Sequence, residues 1–134
     1  MTARILLIDD SRTARATFGR ALQDAGFEVL AAGDVADALD IWAAHSVDVV
    51  VADYQLPGMT GLELLAALRS VDGRRPLLLY SASMTPELAT AARDFQVTAV
   101  LQAPVAVETL VAAVQTAVTP GRPVPPARPV PPVR

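Results

Sequence analysis

Residues 48–61 read DVVVADYQLPGMTG, and this stretch decides the fold. Val49, Val50, Val51 and Ala52 run without polar alternation, end on the carboxylate of Asp53, and give way to a loop carrying Pro57 and Gly58. A short run apolar on both faces is the pattern of a strand covered on both sides, and the Pro-Gly pair marks the turn that stops it. The question is why such a strand should finish in an acid.

Working outward, the same unit recurs along the chain. RILLID (4–9), FEVLAA (27–32), VDVVVAD (47–53), RPLLLYSA (75–82) and VTAVLQ (97–102) are runs of strand length. Between them lie segments with helical spacing. Ala14, Phe18, Ala21, Leu22 and Ala25 share a face over 11–25, before a helix-stopping Gly26. Val35, Ala38, Leu39 and Trp42 form the second stripe, and Leu62, Leu65 and Ala66 the third, with Arg69 at its wet edge. Leu88, Ala91, Ala92 and Phe95 form the fourth, opened by Pro86 in a helical first turn. Val107, Leu110, Val111, Val114 and Val118 form the fifth. Five such repeats imply an α/β fold, a doubly wound (βα)5 domain whose five-stranded parallel sheet is covered on both faces.

The chain has 134 residues, 52% of them hydrophobic, which is enough to bury a core without staples. It has no cysteine, so no disulfide or thiolate metal site. The apolar run at Ile5–Ile8 is cut by Asp9 and Asp10, too short for a signal peptide or membrane span, and a cytoplasmic protein is expected. All fourteen acids lie within 1–118 alongside eight arginines, and the acidic body argues against nucleic acid as its direct ligand. The domain is expected over 1–118. Residues 119–134 hold RPVPPA followed by RPVPPV, a Pro/Arg-rich extended tail, either an inert linker or a docking segment.

Open parallel sheets bind ligands at the carboxyl ends of their strands. Those ends here carry Asp9 and Asp10, Asp53, Ser81, and Gln102-Ala103-Pro104. Singly, each acid could cap a helix, as Asp10 could for the helix starting near Ser11. Three together repel and call for a cation or a shared proton, and hard oxygen ligands suit Mg²⁺. An aspartate beside such a cation can attack a phosphoryl group.

LLIDDS, VVVADYQLPGMTG, LLLYSA and APVAVETL, in this order, resemble the receiver domain of bacterial two-component response regulators, from residue 3 to about 118. The resemblance implies a flavodoxin-like sheet of strand order 2-1-3-4-5. It implies Asp53 as phosphoacceptor, Asp10 as a direct Mg²⁺ ligand, Asp9 helping through water, the backbone carbonyl of Gln55 completing the ligands, and Ser81 sensing the phosphoryl oxygens. It further implies a histidine kinase or phosphotransfer protein as donor and a downstream protein on the face of the fourth helix, fifth strand and fifth helix. No enzymatic activity is implied beyond self-phosphorylation and self-dephosphorylation.

Two positions depart from that pattern. The family places a lysine before the strand-5 proline, where this chain has Ala103 before Pro104, and an aromatic switch residue three positions earlier, where it has Val100. Gln102, one residue before Ala103, should face away from the site. Arg12 could lean over the acids and restore some positive charge, its alternative being a solvated first-turn side chain. Tyr80, next to Ser81, is expected in the core, with a switch role as its alternative; Trp42 is expected in the core as well, and His45 on the surface. A phosphoryl-accepting single-domain regulator and a degenerate receiver that binds partners regardless of phosphorylation both fit. A hydrolase of another doubly wound family fits poorly, because no Gly-x-Ser-x-Gly elbow or Walker loop is present.

Overall fold

The computed structural model describes residues 2–119, so the Pro/Arg-rich tail from residue 120 onward lies outside the described residues. Strands β1 (Arg4–Ile8), β2 (Glu28–Ala32), β3 (Val49–Asp53), β4 (Leu77–Ser81) and β5 (Ala99–Gln102) alternate with helices α1 (Arg12–Asp24), α2 (Val35–Ala44), α3 (Gly61–Val71), α4 (Pro86–Asp94) and α5 (Val107–Val118). The strands form one parallel sheet in the order β2-β1-β3-β4-β5. This is the doubly wound architecture expected from the repeating pattern.

Alternation along each strand divides the core in two. Leu6, Ile8, Val50, Ala52, Leu79 and Val100 face α2, α3 and α4. Ile5, Leu7, Val49, Val51, Leu78 and Tyr80 face α1 and α5. Residues just past the strand ends inherit this parity, which sets the side from which each functional group approaches.

Three stripe residues expected to be buried are not. Leu39 is 43% exposed, and its neighbours Ile41 and Trp42 pack on the core instead. Phe95 is 45% exposed because α4 ends at Asp94; the chain turns at Gln96 with φ 59° and buries Val97 instead. Ala25 is the exposed C-cap of α1, and Gly19 and Leu22 are that helix's buried residues. Arg69 does more than edge α3. Its guanidinium donates to the carbonyls of Gln96 and Asp72, tying α3 to the end of α4. Trp42 is half-buried with the Arg75 guanidinium over its ring at 4.9 Å.

The loop after β3 is held tightly against the strand it follows. Gly58 adopts φ 86°, and Thr60 and Glu63 form a reciprocal capping box at the start of α3. Gly61 donates its N–H to the Tyr54 carbonyl at 2.8 Å. A Cβ at Gly61 would lie 2.0 Å from the backbone oxygen of Asp53, so no side chain fits without moving β3 or α3. Gly61→Ala should therefore cost on the order of 3 kcal/mol in urea unfolding, mostly through backbone displacement. A loss within about 0.5 kcal/mol, the size of an ordinary surface substitution, would show that the loop is not clamped as described.

Candidate functional site

Asp9 follows the last residue of β1 and Asp53 ends β3, with Ile8 opposite Ala52 in the register. Both carboxylates therefore leave adjacent strands at the same edge. One carboxylate oxygen from each of Asp9, Asp10 and Asp53 lies within 4.8 Å of the other two. Asp9 is buried at 3% exposure, Asp53 is half-buried and Asp10 is exposed. At an effective dielectric of about 20, two ionised acids at such a distance repel by on the order of 3 kcal/mol. An effective dielectric of that size already includes solvent screening, so this is a residual repulsion that a bound cation would relieve. The donor set is all hard oxygen with an exposed side, and these three residues could hold a metal.

Asp9 is held through both oxygens. Its Oδ1 accepts the Ser11 N–H at 2.8 Å, and its Oδ2 accepts the Tyr80 hydroxyl. A hydrogen bond to a charged group contributes about 1.5–3 kcal/mol, comparable with the repulsion it opposes. Tyr80 is itself buried and set edge-on to Phe18 of α1, ring centres 5.5 Å apart. Its hydroxyl is pushed well above the usual tyrosine range, first by burial and then by its bond to Asp9. It stays protonated and a donor.

Asp53 is raised to about 6, chiefly by burial and then by the charge of Asp9, against the backbone N–H of Gln55, which donates to its Oδ1 at 3.3 Å. It remains mostly ionised at neutral pH, yet close enough to its titration to be sensitive to any added positive charge.

The structure also sorts the remaining expectations. Ser11, not Asp10, caps α1, its Oγ accepting the Ala14 N–H at 3.1 Å, so Asp10 is not spent on the helix. Gln55 is exposed beside Asp53, and its contact with the cluster is the backbone N–H that donates to Asp53 Oδ1. Ser81 is buried at the end of β4, but its hydroxyl donates to the Ser83 carbonyl at 3.0 Å and accepts the Ser83 N–H at 3.1 Å, turned to its own loop rather than to the acids. Val100 is buried in the core facing α2, α3 and α4, Ala103 packs on the opposite core, and Gln102 is exposed. His45 is the exposed C-cap of α2.

Two residues of the site escaped sequence reasoning. Arg12 is exposed, and the arginine that reaches the acids' loop is Arg15, one turn on, whose Nη1 donates to the Asp9 carbonyl at 2.8 Å. Gly33 leaves the room, since a Cβ there would lie 2.8 Å from that nitrogen. The core position expected of Tyr80 is correct, but its bond to Asp9 is not foreseen by it. Its parity with Leu78, opposite to Ser81, was the available signal that its ring points to the side on which Asp9 emerges.

The chain matches the response regulator receiver domain over residues 5–115. The chain belongs to that family. The receiver is 36% identical over 112 residues to response regulator MprA of Mycobacterium sp. (strain KMS), an alignment covering 84% of this chain and 49% of that protein. It is also 36% identical over 106 residues to the sensory/regulatory protein RpfC of Xanthomonas campestris pv. campestris (strain ATCC 33913), covering 76% of this chain and 15% of that protein. The receiver thus spans about half the length of MprA and a smaller part of RpfC. Among solved structures, the chemotaxis response regulator CheY4 of Vibrio cholerae superposes with a TM-score of 0.81 at 32% identity, covering 88% of this chain and all of that one. Membership places the chain in two-component signalling. Among the described residues no helix is long and apolar enough to cross a membrane.

The raised Asp53 has a measurable consequence. The folded state holds this proton more tightly than the unfolded chain does, whose ordinary value is 3.8. Its contribution is therefore a penalty, fully present above about 6 and relieved as pH falls from there toward 3.8. In Mg²⁺-free buffer Asp53→Asn should be more stable than wild type at pH 7.5 by about 1 kcal/mol, after allowance for the solvent that screens this half-exposed group. The gap should close by about pH 4 in urea unfolding. A pH-independent gap would mean that Asp53 carries no charge penalty.

Proposed function

We propose that this receiver accepts a phosphoryl group on Asp53 from a histidine kinase or phosphotransfer protein and passes its state on by protein contact. The observation that carries this is the convergence of Asp9, Asp10 and Asp53 within 4.8 Å at the carboxyl edge of the sheet. In the transfer, an Asp53 carboxylate oxygen bonds to phosphorus while the bond from phosphorus to the donor's imidazole nitrogen breaks. The electron pair leaves with the imidazole, which takes up a proton, and Asp53 becomes an acyl phosphate. Asp9, Asp10, Asp53 and the carbonyl of Gln55 would hold Mg²⁺, which supplies positive charge against the phosphoryl oxygens when bound. The Ser11 N–H already orients Asp9 through its Oδ1.

Ser81 is the residue poised to report the product. Its two bonds to Ser83 are local, and exchanging them for one to a phosphoryl oxygen would pull on the loop leading to α4. The proposed partner surface is therefore α4, β5 and α5. Substrates other than the phosphodonor and the receiver's own phosphoryl group have no place in this mechanism.

A second reading has its own support. Ala103 brings no ammonium to the phosphoryl group, and the buried Val100 is too short and stiff to act as a lever between site and surface. Loss of one charge-assisted bond, about 1.5–3 kcal/mol, would weaken a population shift by roughly ten- to a hundredfold or more. On this reading the receiver is a phosphorylation-independent binding module.

Intact-protein mass after incubation with acetyl phosphate and Mg²⁺ separates the two. The expected result is one phosphoryl adduct on wild type and none on Asp53→Asn. An adduct on both proteins would mean another acceptor, and no adduct on a wild type that binds Mg²⁺ would favour the binding module.

A further inference from the structure

We propose that Tyr80 is a positioning residue for the acidic cluster, its hydroxyl serving as the standing positive pole against Asp9 at the place left open by Ala103. This rests on the receiver reading of the site. Tyr80 is opposite Leu101 in the β4–β5 register, and Ala103 lies two residues beyond Leu101 on the same face of the sheet. Both pack into the core facing α1 and α5, the side from which Asp9 is reached. Ala103 brings no charged group to that face, and the Tyr80 hydroxyl is the side-chain donor that meets Asp9 there. The ring is fixed by Phe18 of α1, and the hydroxyl meets a carboxylate oxygen that is buried from water.

This geometry gives the bond a function beyond packing. A neutral donor stabilises Asp9 when the cluster holds no cation, and its positive pole opposes a cation placed beside the same carboxylate. The state of the acids is thereby coupled to α1 through Tyr80 and Phe18, on the side of the sheet opposite Val100. The consequence is a definite sign. The Tyr80 hydroxyl and a cation compete for the same Asp9 oxygen, so the bond is stronger in the free cluster than in the loaded one. Removing the hydroxyl should then destabilise the Mg²⁺-free protein and strengthen its Mg²⁺ binding, because a contact that favours the free state over the bound one weakens the ligand.

The test is Mg²⁺ titration by calorimetry of wild type and Tyr80→Phe, with thermal melts in chelator. The expected outcome is Mg²⁺ binding about three- to tenfold tighter in Tyr80→Phe, with a lower Tm in chelator. A lowered Tm with Mg²⁺ affinity unchanged or weakened would overturn the inference, since loss of packing alone gives that result. A second pair extends the test: Ala103→Lys should strengthen beryllofluoride binding in both backgrounds, with the larger gain in Tyr80→Phe, where the ammonium has no competitor for Asp9. Equal gains would overturn it. Should Tyr80→Phe not fold, proton NMR of Mg²⁺-free wild type decides. A slowly exchanging hydroxyl proton far downfield, assigned to Tyr80 and lost on adding Mg²⁺ or shifted by it, supports the inference, and its absence overturns it. A wild type that binds neither Mg²⁺ nor beryllofluoride overturns the receiver reading and this inference with it, whereas failure of Tyr80→Phe alone leaves that reading standing.

Discussion

Repulsion among three carboxylates at one edge of a buried sheet is the constraint on which the rest of this structure turns. The hydrophobic pairing of β1 with β3 forces Asp9 and Asp53 into proximity, because Ile8 and Ala52 sit side by side and the next residue on each strand is the acid. Core burial thus supplies the energy that holds like charges together. Asp53 answers by moving its titration up to about 6, Asp9 by engaging both oxygens, and Asp10 by remaining in solvent. Negative charge so concentrated would be relieved further by a bound cation.

The surrounding elements read as supports for that charge. Gly61 permits the loop to close onto the Asp53 carbonyl, which fixes the strand end from which the proposed acceptor projects. Ser11 both caps α1 and donates its N–H to Asp9, so one residue starts the helix and orients a carboxylate. Arg15 anchors the Asp9 carbonyl from the next turn. The two faces then differ in kind. The side facing α1 and α5 holds an aromatic, hydrogen-bonded route to the acids, whereas the side facing α2, α3 and α4 presents the aliphatic Val100 and a serine bonded to its own loop.

Much of this is legible in the sequence. Unalternating apolar runs separated by helical stripes are a strong signal for a covered parallel sheet, and the acids at the run ends mark the site because strand ends are where such sheets bind. What escaped was geometry at the level of single side chains. Arg12 and Arg15 both lie in the first turns of α1, and spacing alone does not say which guanidinium bends back to the loop, a choice made by the gap at Gly33. Tyr80 looked like core because it is core, and only the parity of β4 against β1 shows that its polar tip ends at Asp9. Phe95 and Leu39 lie outside the core, which periodicity does not foresee, since it registers neither where a nine-residue helix stops nor which of several neighbouring apolar residues packs inward.

The most direct measurement is a crystal structure grown with Mg²⁺ and beryllofluoride, a non-transferable mimic of the phosphoryl group. The account predicts beryllium bonded to a carboxylate oxygen of Asp53, with the cation held among Asp9, Asp10, Asp53 and the Gln55 carbonyl. Fluoroberyllate density on another residue, or a cation bound away from these carboxylates, would contradict it.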